Sequence, residues 1–133
     1  MTSIRKRAIV ILTMSAFFYA LLELGMNWDP SQCLNSPAWM RNLFNSTISI
    51  YFYRVIYDGL FLSIVYSITG KLISWETLWY FIYASTVEDI FYWVIGLEVP
   101  RQWAWFYPVI YGIPIDDIIG IILLAVLKNK IRK

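Results

Sequence analysis

The chain has 133 residues, 59% hydrophobic and 15% charged, with a formal net charge of +2. Soluble domains run about 45–50% apolar and about 25% charged, so this composition points to lipid as the solvent or to a very large partner surface. The small net charge gives no basis for nucleic-acid binding. Histidine is absent, which removes the usual zinc, copper and haem ligand and the usual base near neutral pH, and the single Cys33 has no partner for an internal disulfide.

A bilayer core of about 30 Å takes about 20 mostly apolar residues per helix. In chain order, the runs 8–26, 48–69, 75–96 and 104–127 meet that requirement. Breakers separate them: Asp29-Pro30 and Ser36-Pro37, then Gly70-Lys71, then Pro100-Arg101. The first run leaves through Leu22-Glu23-Leu24-Gly25 with no small-x-small cleavage site, so it reads as a retained span and not as a secretory signal. The sequence predicts one all-α membrane domain over 1–133, a four-transmembrane-helix bundle.

Cations fix the expected orientation. Arg5, Lys6 and Arg7 precede the first span, Lys71 joins the second to the third, and Lys128, Lys130, Arg132 and Lys133 follow the fourth. With four spans all of these fall on one side, against Arg41 and Arg101 on the other. The positive-inside rule then places both termini in the cytoplasm and makes the chain a multi-pass protein of the cell membrane. Trp28, Trp39, Phe44, Trp103, Trp105 and Phe106 read as an outer interfacial belt, with Trp75 and Trp79 marking the inner one. Asn45-Ser46-Thr47 matches the glycosylation pattern, but so short a match against the membrane is expected by chance.

Chemistry is expected where charge meets lipid: Glu23 in the first span, Arg54 and Asp58 in the second, Glu88 and Asp89 in the third, Asp116 and Asp117 in the fourth. Each such charge facing lipid at mid-helix costs about 2.5–3.5 kcal/mol even on lenient scales, so the set must face inward. At about 1.5 Å per residue, Asp58, Asp116 and Asp117 fall near their span midpoints. By the same rise Glu88 and Asp89 lie roughly 4–5 Å, Arg54 about 7 Å and Glu23 about 9 Å further out. Asp58, Glu88, Asp89 and Asp116 are expected to line the interior. Arg54 can pair with Asp58 four residues on, and Tyr92 and Trp93 can donate hydrogen bonds to the acids. Pro114 is expected to kink the fourth span by freeing the carbonyl of Ile110, with Gly112, Asp116 and Gly120 on one face.

The six acids and one arginine would leave a net −5 if all were ionised. Burial and like-charged neighbours both favour the neutral acid. Retained protons, a partner's bases, or a hard divalent cation such as Mg²⁺ or Ca²⁺ at Asp58, Glu88, Asp89 and Asp116 would each relieve the sum. No other cofactor is expected.

Gly112-Ile113-Pro114-Ile115-Asp116-Asp117 resembles the hallmark of the lycopene-cyclase-type carotenoid cyclase domains, a proline followed by paired acids within a membrane helix. Val87-Glu88-Asp89-Ile90-Phe91-Tyr92-Trp93 resembles it without the proline. The family usually carries Glu where this chain has Asp116 and Asp117. The resemblance implies small membrane domains that work as pairs and protonate a terminal double bond of an isoprenoid lipid without a redox cofactor. It implies Glu88, Asp89, Asp116 and Asp117 as the catalytic acids. The residues themselves leave two other readings open: an accessory subunit of a larger membrane complex, and a proton- or cation-binding transport component. Oligomerisation is expected under all three.

Overall fold

The computed structural model describes residues 4–25, 37–43, 46–102 and 105–132. Cys33, Trp28, Asn45, Trp103 and Lys133 lie outside them, as does most of the loop expected between the first two spans. The order is α1 (Lys6–Gly25), α2 (Ala38–Leu43), α3 (Ser46–Thr69), α4 (Trp75–Ile95), a two-strand hairpin of β1 (Val109–Ile110) and β2 (Ile113–Pro114), and α5 (Ile115–Arg132). The all-α expectation holds, and the first three long helices begin and end within about two residues of the expected runs, the usual uncertainty of a helix boundary.

The fourth helix is displaced. It begins at Ile115, not Ala104, and runs on to Arg132. Pro114 therefore precedes the helix instead of kinking it. The hairpin pairs Val109 with Pro114 and Ile110 with Ile113 around Tyr111 and Gly112, which have φ of 52° and 76°. Two consecutive left-handed residues are the requirement of a tight two-residue hairpin turn, and glycine meets it without steric cost. Gly112 thus belongs to a turn, and the expected small-residue face keeps only Gly120.

Local signals set the other ends. Ser74 caps α4, its Oγ accepting from the Thr77 amide at 3.0 Å, with Glu76 in the first turn where the helix dipole favours an acid. α4 closes with the Leu97 amide donating to Val94 O at 3.2 Å and the Glu98 amide donating to Trp93 O at 3.3 Å. This is a Schellman ending, and its left-handed position is taken by Leu97 at φ 54°, where glycine is usual.

α4 is the central helix and packs against α1, α5 and α3, while α1 and α3 touch only sparsely. α1 runs parallel to it. The Arg5 amide donates to Tyr80 Oη at 2.9 Å, Thr13 and Tyr83 share a hydroxyl bond of 2.7 Å, and the rings of Phe17 and Phe91 lie 5.5 Å apart. α5 runs antiparallel, with Trp79 Nε1 donating to Leu124 O at 2.9 Å and Gly120 set against Thr86. Trp79 is thus a buried core residue and marks no interface. α3 is antiparallel as well, with Thr69 and Thr77 hydroxyls 2.9 Å apart. The core joins Leu12, Tyr19, Tyr57, Phe61, Val65, Tyr80 and Leu127.

This packing brings the start of α1, the end of α3, the start of α4 and the end of α5 to one end of the bundle. Arg5 Nη2 donates to Ile68 O at 2.7 Å there, and Lys130 Nζ sits 4.7 Å over the Trp75 ring. Trp105 and Phe106 gather at the opposite end, where Trp105 Nε1 donates to Tyr51 Oη at 2.8 Å. The one-sided grouping of cations expected from four alternating runs is therefore a property of the fold.

Among the described residues one helix, over Lys6–Leu24, is by itself long and apolar enough to cross a membrane. The others are diluted by Arg54 and Asp58 in α3, by Glu76, Glu88 and Asp89 in α4, and by acids and bases at the two ends of α5. Even so, the outer surfaces are apolar. Val10, Met14 and Phe18 of α1, Val55 and Leu60 of α3, and Ile119, Ile122 and Val126 of α5 are all exposed. Soluble monomers rarely show contiguous apolar faces of this extent.

Candidate functional site

The site forms where three helices meet near the end away from the basic cluster. α4 delivers Glu88 and Asp89 on adjacent positions, about 100° apart around the helix, so each faces a different neighbour. Glu88 turns to α1 and α3 and is 1% exposed. Asp89 turns to α5, which presents Asp117 from its first turn. The distribution is not the one expected. Asp117, 7% exposed, takes the inner place, and Asp116 stands exposed on the outside of the helix. Because α5 starts eleven residues later than its run suggests, both acids sit at a helix N-terminus and not at mid-span.

The acids lie close to one another. Glu23 of α1 and Glu88 are within side-chain hydrogen-bonding reach, as are Glu88 and Asp89, and Asp89 and Asp117. Two carboxylates have only acceptor oxygens, so each link requires a proton between them. The series Glu23–Glu88–Asp89–Asp117 thus spans α1, α4 and α5.

Tyrosines complete the ends. Tyr57, 2% exposed on α3, places its hydroxyl 3.1 Å from Glu88 Oε2 and 3.3 Å from the Ser85 carbonyl. One hydroxyl proton cannot serve both acceptors. If Glu88 is the neutral acid, its Oε2 donates to Tyr57 and Tyr57 donates to Ser85, while Glu88 Oε1 stays buried without a hydrogen-bond partner among the described residues. At the other end Trp93 Nε1 donates to Tyr107 Oη at 2.9 Å, and Tyr107 donates to Asp117 Oδ2 at 3.5 Å. Tyr107 lies in the connection outside the helices, and burial, then the nearby Asp89, pushes its hydroxyl pKa above the ordinary tyrosine value, so it remains a donor. Beneath Glu88 the rings of Tyr19, Tyr57 and Phe61 pack at 5.0–5.4 Å and exclude water.

Arg54 and Asp58 pair as expected, Nε to Oδ2 at 3.2 Å, with Arg54 also 5.0 Å from the Tyr57 ring. They lie at the edge of the site, their side chains 39% and 41% exposed. Trp93 reaches an acid only through Tyr107, and Tyr92 packs edge-on against Trp93 at 5.0 Å without bonding an acid among the described residues. No three acids among the described residues converge as metal ligands do, so the set Asp58, Glu88, Asp89 and Asp116 does not form one cation cage. Tyr57 and Tyr107 escaped sequence reading. Nothing in their neighbourhood distinguishes them from the other tyrosines, of which the chain has 10.

A groove of about 530 Å³ opens beside the acid series. Its walls are mostly apolar, with Ile90, Val94, Pro114, Ile118 and Ile121, and Trp93, Asp117 and Glu98 also line it.

A helical chain with an apolar exterior and carboxyls gathered among its helices is consistent with a membrane protein. Comparison with known proteins points the same way. A stretch of 43 residues, 32% of the chain, is 51% identical to a protein of Acidianus filamentous virus 2 (isolate Italy/Pozzuoli) named "Putative transmembrane protein ORF202". The match spans about a fifth of that relative's length, 21%. No known family profile matches the chain, and no solved structure matches it significantly.

Proposed function

We propose that the chain is a multi-pass protein of the cell membrane, with four spans and both termini cytoplasmic, whose carboxyl series is an acid site for an isoprenoid-type lipid. Asp117 carries this reading, because it belongs both to the acid series and to the wall of a mostly apolar groove. A hydrocarbon chain in that groove would lie against Asp117 with the Trp93 ring beside it. Proton transfer from a dry carboxyl to a terminal double bond leaves a tertiary carbocation, which an aromatic face stabilises. Attack of a nearby double bond of the same chain on that cation forms the ring C–C bond and moves the charge to a second tertiary carbon, and loss of a proton from beside it to the carboxylate restores the acid without oxidant or reductant. The resemblance to carotenoid cyclase domains supports the same chemistry, with Asp89 and Glu88 as the proton supply behind Asp117. Asp116, exposed at the helix start, is left without a catalytic part.

The test is proton exchange. Protein in lipid vesicles is incubated with an acyclic carotenoid in D₂O, and the recovered lipid is analysed for deuterium and for ring formation. Incorporation that is lost in Asp117→Asn supports the reading. Incorporation equal in the variant, or absent from the intact protein, overturns it. A second reading rests on the continuation of the series away from the groove to Glu23 on α1, which suits a proton-carrying membrane component. Collapse of an imposed pH gradient in the same vesicles, lost in Glu23→Gln, would favour it.

A further inference from the structure

A second groove, of about 600 Å³, lies at the other end of the bundle, between α3 and α4, and takes no part in the acid series. Its walls are Leu62 of α3, Leu72 and Ile73 of the connecting turn, and Trp75, Leu78 and Phe81 of α4. From Ser74 to Phe81 it runs about 10 Å along the helix axis at the normal rise. Most of its polar floor is paired: Thr77 Oγ1 accepts from Ser74 Oγ at 2.9 Å, and Thr69 Oγ1 donates to Lys71 O at 3.0 Å. At the inner end Asp58 Oδ2 is held by Arg54, while Asp58 Oδ1 is buried with no hydrogen-bond partner among the described residues. The cations stand at the rim. Ile73 is 92% exposed, Leu72 and Trp75 are more than half exposed, and two cations frame them. Lys71 immediately precedes Leu72, and Lys130 Nζ lies 4.7 Å over the Trp75 ring.

An apolar channel that opens at a basic rim has the polarity of an anionic amphiphile. The geometry points to one acyl chain of an anionic phospholipid lying in this groove, with its phosphate between Lys71 and Lys130. The argument rests on the membrane reading above, which puts this end of the bundle at the cytoplasmic surface. A Lys beside an anionic headgroup is worth roughly five-fold in binding. Lys71 is on the α3–α4 turn and Lys130 on the last turns of α5, so a phosphate held by both would also tie α5 to the turn. The volume suits a small hydrophobic ligand or part of a chain, which falls in the usual range of roughly 300–1,000 Å³.

The experiment uses Trp75 as reporter. The full chain is reconstituted in vesicles containing a small fraction of phosphatidylglycerol or of phosphatidylcholine brominated in the acyl chain. The signal is the quenching present in the intact protein and missing in Trp75→Phe. A binding preference for brominated phosphatidylglycerol on the order of 25-fold is expected, falling about five-fold in Lys71→Gln and about five-fold in Lys130→Gln. Free inorganic phosphate should not compete. Equal quenching by the two lipids, or a preference that survives both substitutions, overturns the proposal and leaves ordinary contact with bulk lipid. A preference abolished by inorganic phosphate also overturns it, by assigning the cations to a soluble anion. Alkaline carbonate washing of the same vesicles separates the two readings. Protein that stays while the preference is absent refutes the lipid site alone, and protein that washes off refutes the membrane reading with it.

Discussion

Gly120 is a point of tight approach between α5 and α4, and replacing it with alanine gives a test whose sign reverses with context. A methyl group built there would collide with Thr86 Oγ1, while the Thr86 Cβ would lie at 3.5 Å, an ordinary contact. Thr86 is 6% exposed and sits on the rigid central helix, so the overlap is relieved only by turning its side chain or parting the helices. Overpacking of this kind costs about 1–3 kcal/mol. Against it stands the gain of about 1 kcal/mol when alanine replaces glycine inside a helix. Gly120→Ala should therefore destabilise the wild-type fold by roughly 0–2 kcal/mol, the difference of these two effects. In a Thr86→Ala background the obstructing oxygen is gone, and the same change should stabilise by about 1 kcal/mol. The assay is reversible unfolding in mixed micelles followed by helical circular dichroism, over the four proteins of a double-mutant cycle. Additive effects, with coupling below about 0.5 kcal/mol, would refute the close approach of the two helices.

Other outcomes follow from the same structure. Tyr57→Phe should cost about 1–3 kcal/mol by leaving buried Glu88 without its hydroxyl partner, and Tyr57→Phe with Glu88→Leu should cost less than the sum, as the same unfolding assay would show. Arg54→Leu should destabilise more than Arg54→Leu with Asp58→Leu, because the single change leaves an unpaired carboxylate, and equal losses would mean that the pair does not interact. Leu97→Gly should raise stability by about 1 kcal/mol by relieving a left-handed residue that is 91% exposed.

The long helices were legible because apolar runs and breakers are local signals. The basic end was legible because charge tracks span number. Asp117 and Asp116 were not distinguishable in advance. Their order depends on where α5 begins, and that start is set by the Tyr111-Gly112 turn and Pro114, inside a stretch apolar enough to pass for helix. The pairing of Glu88 toward α1 and Asp89 toward α5 was readable as a 100° divergence, but not which helix each would meet. The tyrosines that finish the network are invisible to spacing rules, since Tyr57 and Tyr107 gain meaning only from acids 31 and 10 positions away. Arg54 and Asp58 gave themselves up by their i, i+4 spacing, and the structure adds that they stand at the edge of the site.

The central place of α4 has a consequence for synthesis. α1 and α3 emerge from the ribosome first, yet they touch one another only sparsely and find most of their partners on a helix that has not been made. Until α4 arrives, Glu23 and Tyr57 have no Glu88 to meet. The nascent chain must therefore wait as loosely associated segments and then condense around α4. α5 can zip onto α4 afterwards from Gly120 and Leu124 outward. An intermediate in which α1, α3 and α4 have joined but α5 has not would leave Asp89 uncovered, and that is the stage at which a chaperone or a protease would find the chain.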